Sequence, residues 1–150
     1  MTELADLTLA DAAADIRRGN LSARALLNAV LERVTFSEPV VHAYSTLDAD
    51  AARAAASAAD AAQRRGDPLG PLHGVPIAVD DLVDVVASVT TSRAPTIGGR
   101  SALADAPAVH LLRAAGAIVV GKTWAHELGL RTSVPPTRNS WDPRRAPGGS

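Results

Sequence analysis

The chain has 150 residues, 47% of them hydrophobic and 21% charged, with a formal net charge of -1. This is ordinary globular composition with enough apolar material for one domain and its core, and it argues against disorder. The near-zero charge removes support for nucleic-acid binding through a general positive field, and the lack of cysteine excludes disulfides and thiolate metal sites.

The start, Met1-Thr2-Glu3-Leu4-Ala5-Asp6, is acidic and has neither a basic region nor a long apolar run. It does not read as a signal peptide, and no stretch is apolar enough to span a bilayer. The expectation is a soluble, cytoplasmic protein with no membrane partner. Thr8 is placed to cap a helix over Leu9–Arg18, which Gly19 stops in the left-handed conformation. Ser22 caps a second helix from Ala23 to about Val34, whose Leu26, Leu27, Val30, Leu31 and Val34 share one face, with Pro39 beyond its end. Ala43–Leu47 reads as a short strand. Asp48 then caps a long alanine-rich helix to Arg65, and Gly66 ends it.

The character changes at Val75. The run Val75-Pro76-Ile77-Ala78-Val79 reads as a strand buried on both faces, with Pro76 suiting an edge or a strand start. A polar stretch spans Ser88–Ser101. Asp105 is placed to cap a helix over Ala106–Ala115, and Ala117–Gly121 reads as a second buried strand. From Thr132 the chain is rich in Pro, Arg, Gly and Ser and reads as irregular. Helices followed by strands alternating with helix indicate α/β.

Several motifs carry a bland reading beside a chemical one. Asp80-Asp81 could be a paired-carboxylate or metal site, but adjacent acids commonly end a strand, and Asp81 suits pinning the next turn. His73 could line a cleft or simply pack. His126-Glu127 lacks the second histidine of a zinc helix, because position 130 is Leu130. Gly116 and Gly121-Lys122-Thr123 match a phosphate loop formally, but residues 117–120 are a buried strand rather than an open cradle. Trp124 and Trp141 read as packing anchors. No cofactor and no metal are expected.

Three segments, taken together, resemble the amidase signature family. Gly70–Val79 followed by Asp81-Leu82 is similar to the strand leading to that family's catalytic lysine. Leu111–Thr123 with His126-Glu127 is similar to its next helix-strand unit. Asn139–Pro143 with Pro147–Ser150 is similar to the entry of its Gly/Ser-rich signature. The resemblance implies an α/β fold with a mixed sheet flanked by helices, of which residues 1–150 form an incomplete N-terminal portion. It divides that portion into helices at about 8–65, a strand/helix core at about 75–131 and a tail at 132–150. It also implies hydrolysis of carbon-nitrogen amide bonds by a Ser-Ser-Lys triad acting on a small-molecule amide.

Two departures from that pattern matter. The lysine position is Asp80, since the chain reads Val79-Asp80-Asp81. Aspartate is short, with an ordinary pKa of about 3.9 against about 10.4 for lysine. Lys122 is the only lysine and matches a different family position. Ser150 falls on the bridging serine, and the nucleophilic serine is expected beyond it. The expectation is therefore an amidase-family chain that does not itself hydrolyse amides. The alternatives are a binding or interaction module on the same scaffold, with self-association through open strand edges, and another reaction supported by Asp80 with a metal.

Overall fold

A computed structural model describes residues 3–96, 98–130 and 135–148. Four helices, α1 (Leu9–Arg18), α2 (Ala23–Val41), α3 (Ala49–Arg65) and α4 (Pro107–Ala114), accompany five strands. These are β1 (Tyr44–Leu47), β2 (Pro76–Asp80), β3 (Val89–Thr90), β4 (Arg100–Ser101) and β5 (Ile118–Thr123). A three-stranded sheet has the order β1-β5-β2, and β3-β4 form a separate antiparallel pair. β1 runs antiparallel to β5, with Thr46 opposite Lys122 and Leu47 opposite Gly121. Bonds from Ile118 N–H to the Val75 carbonyl and from Asp81 N–H to the Thr123 carbonyl show that β2 and β5 run the same way. The sheet is therefore mixed, as the resemblance implies.

The chain divides into two compact units, Met1–Thr35, Asp48–Ile77 and His110–Val120 forming the first, and Phe36–Leu47, Ala78–Val109 and Gly121–Ser150 the second. The first unit is built from caps that the sequence displays. Thr8 accepts from Asp11 N–H at 3.1 Å, Ser22 from Ala25 N–H at 3.0 Å and Asp48 from Ala51 N–H at 3.0 Å. Gly19 and Gly66 close α1 and α3 with φ of 78° and 75°. One further cap comes from a distance. The buried Asp60 on α3 accepts from Ala23 N–H at 2.7 Å and Arg24 N–H at 3.3 Å, which satisfies free amides at the start of α2. Ala12, Ile16, Leu21 and Leu26 form the apolar core there, and the methyls of Ala52 and Ala56 are buried along α3.

Two elements depart from expectation. α2 does not stop before Pro39 but contains it. Pro39 has no N–H for the carbonyl four residues back, yet the last turn is held from the other side. His42 N–H bonds the Glu38 carbonyl at 3.0 Å, and the Glu38 carboxylate accepts from Ala43 N–H and Tyr44 N–H, both at 3.0 Å. β2 is not buried on both faces, because it lies at the sheet edge, with Val79 buried and Ala78 and Asp80 exposed. Pro76 is its first residue, where a missing donor does no harm. β5, by contrast, is central and almost wholly buried. Among the described residues no helix is long and apolar enough to cross a membrane.

Candidate functional site

The candidate site lies in the second unit, where β2 ends. Successive strand side chains alternate in direction, so Asp80 and Asp81 part company. Asp80 is exposed. Its Oδ1 accepts from Leu82 N–H at 2.8 Å, and its carbonyl accepts from Val83 N–H at 3.0 Å, which makes the turn that closes the strand. Asp80 is thus a surface carboxylate, and it does not form a pair with Asp81.

Asp81 is 1% exposed. Its Oδ1 lies 2.9 Å from Lys122 Nζ on β5, and the Thr91 hydroxyl and N–H both donate to the same carboxylate. Lys122, also 1% exposed, donates at 2.7 Å to Thr90 Oγ1 on β3 and reaches the Val89 carbonyl at 3.5 Å. A charge that deep is tolerated only when paired and hydrogen-bonded. The pair therefore pins the segment around β3 to the end of the sheet. Asp81 does anchor the chain beyond it, as the sequence suggests, but through Thr91 and Lys122 rather than through a local turn. Gly121 makes room beside Lys122, because a Cβ there would overlap the Thr46 carbonyl oxygen on β1. Farther along, the Arg100 guanidinium at 2.7 Å and the Thr90 hydroxyl hold the Asp84 carboxyl below the usual carboxylate range.

A cavity of about 200 Å³ opens beside Asp80, lined by Leu82, Trp124, His126, Pro135 and Thr137 among others. Lys122 is not part of its lining. His126 precedes the short 3₁₀ turn Glu127–Gly129 and not a zinc helix. Among the described residues no group of three or more His, Asp or Glu is placed to hold a metal ion. Lys122 and Thr123 sit in a buried strand, so the phosphate-loop match has no structural counterpart. His73 lies in the first unit, its Nε2 at 3.0 Å from the Ala59 carbonyl, and packs there. Trp141 is no packing anchor, being 95% exposed, because its segment lies in an irregular stretch rich in proline and arginine. Ser150 lies outside the described residues.

Sequence reasoning missed the Asp81–Lys122 pair. The signal available was the solitary lysine in a chain with 15 basic residues, standing in an otherwise apolar strand.

A strand-helix-strand core carrying a cavity at the carboxyl end of β2 belongs to a known class of α/β proteins. The family model described as Amidase matches residues 25–150, and the chain belongs to that family. It is 39% identical over 155 aligned residues to the A subunit of the glutamyl-tRNA(Gln) amidotransferase of Salinispora arenicola, covering 100% of this chain and 32% of that protein. It is 43% identical over 148 residues to an amidase of Pseudomonas putida, covering 99% of this chain and 31% of that one. The solved structure of an amidase superposes with a TM-score of 0.84 at 37% identity, over 96% of this chain and 34% of the other. The chain thus spans about a third of the length of the relatives it matches.

Proposed function

We propose that this chain forms part of an amide-handling scaffold in which position 80 no longer supplies the base, so that the chain does not hydrolyse carboxamides. The class of chemistry is suggested by the relatives, which are named for amide hydrolysis and for amide transfer. The observation that carries the inactivity is Asp80 itself. Where the family resemblance calls for a buried amine, the chain presents an exposed carboxylate tied to Leu82 N–H.

A serine hydroxyl attacks a carbonyl only when a base removes its proton, and a lysine serves as that base only in its neutral form. Aspartate at position 80 is shorter, and it is an acceptor without the reach of an amine. Lys122 does not stand in, because it is sealed at 1% exposure against Asp81 and Thr90.

The test is ammonia release from a panel of aliphatic and aromatic carboxamides by the purified protein. The expected result is no turnover above the buffer blank. Turnover above the blank would refute the proposed inactivity, and its loss in Asp80→Asn would identify Asp80 as a working base.

A further inference from the structure

The geometry points to a binding site for a small organic ammonium ion in the cavity beside Asp80. The inference concerns the same cavity as the proposed function but does not depend on whether the chain turns over amides.

Asp80 is a carboxylate held in place by its own backbone. Oδ1 is occupied by Leu82 N–H at 2.8 Å. No cationic side chain among the described residues pairs with Asp80, which leaves Oδ2 open toward solvent and the cavity. Other acids of the same unit are neutralised close by. Asp81 has Lys122 at 2.9 Å, Asp84 has Arg100 at 2.7 Å and Asp142 has Arg144 at 2.9 Å. Among the described residues that line the cavity there is no lysine or arginine.

The rest of the lining decides between kinds of cation. A divalent metal needs several oxygen ligands, and among the described residues Asp80 is the only acid that lines the cavity. Trp124, Leu82 and Pro135 instead offer an aromatic surface and apolar walls. An aromatic ring next to a carboxylate suits a weakly hydrated ammonium with an organic skin, which gains from the ring quadrupole and the charge together. A cavity of about 200 Å³ limits the ligand to a small one.

The experiment titrates tetramethylammonium into the full chain carrying Trp141→Phe, at constant ionic strength and a pH of about 8. The chain has two tryptophans, and removing the one that is 95% exposed leaves Trp124 as the fluorescent reporter. The expected result is a saturable change in Trp124 emission with a Kd on the order of millimolar. Tert-butanol, a neutral molecule of similar size, gives none. Asp80→Asn keeps the acceptor for Leu82 N–H and is expected to raise Kd at least tenfold with an unchanged circular dichroism spectrum. A second measurement needs no variant at position 80, because about 0.5 M sodium chloride weakens binding to an exposed carboxylate. A flat titration, an equal response to tert-butanol, unchanged binding by Asp80→Asn, or indifference to salt would each overturn the proposal. Since the readout is equilibrium binding, its failure is distinct from any result on amide turnover.

Discussion

Replacing Lys122 by methionine tests the reading of the buried pair most directly. Methionine approximates the length of the lysine stem but removes the ammonium. The partner is Asp81 at 2.9 Å, and both side chains are 1% exposed. With an effective dielectric of about 20, the gross attraction at that distance is about 6 kcal/mol. That attraction is lost with the ammonium, while the bonds from Thr91 N–H and hydroxyl to the Asp81 carboxylate remain. Breaking a buried pair on one side costs about 3–5 kcal/mol, mainly because the remaining charge stays desolvated. We predict a loss in that range for Lys122→Met. Small domains are stable by about 5–15 kcal/mol, so this variant should lie close to unfolding. In urea, with a slope of about 2 kcal/mol per molar, the midpoint should fall by about 2 M at an unchanged slope. The double variant Lys122→Met with Asp81→Asn keeps an acceptor for Thr91 but removes the stranded charge. Its loss should be smaller than the sum of the single losses by about 2 kcal/mol or more. A loss below about 1 kcal/mol for Lys122→Met, as at a surface pair, or strict additivity in the cycle would refute the argument.

Three further outcomes rest on other parts of the structure. Asp60→Ala removes the acceptor for Ala23 and Arg24 N–H and should cost about 1–2 kcal/mol, read in the same denaturation assay. Gly121→Ala forces a methyl into the Thr46 carbonyl and should cost at least about 1–3 kcal/mol, with faster amide exchange in β1 as the local signature. Tyr44 is the only tyrosine, so absorbance at 295 nm tracks it alone. Burial, followed by the Glu38 carboxylate, pushes its hydroxyl above the ordinary value. The folded state thus favours the protonated form. That contribution to stability is complete below about pH 10 and is lost as pH rises through the raised folded value. Tyr44→Phe should remove this alkaline loss, and a titration midpoint at or below that of a free tyrosine would contradict it.

The helices could be read from the chain because their ends are chemically marked. Thr8, Ser22 and Asp48 each make the cap bond their position suggests, and Gly19 and Gly66 take the left-handed conformation that only glycine adopts cheaply. Pro39 misled because the local rule against proline was outweighed by a carboxylate one residue earlier that gathers two amides beyond the helix end. The apolar run at 75–79 marked a strand but not its neighbours. An edge strand and a central one differ only in what packs beside them, which periodicity does not encode. The site was half legible. Asp80 was singled out by its position in the sequence, and its exposure in the structure is the other half of the alternation that buries Asp81. The Lys122–Asp81 contact joins residues far apart in sequence, and nothing local to either one announces the other.

The enclosure of Lys122 has a practical outcome. The remaining basic side chains in the sequence are arginines and histidines, so the only side-chain primary amine is the one shut in beside Asp81. Acylating reagents added to the folded chain should therefore leave its side chains unmodified. Slow acylation at Lys122 would then time the opening of this part of the molecule, one event per transient exposure, much as amide exchange times the opening of a backbone bond.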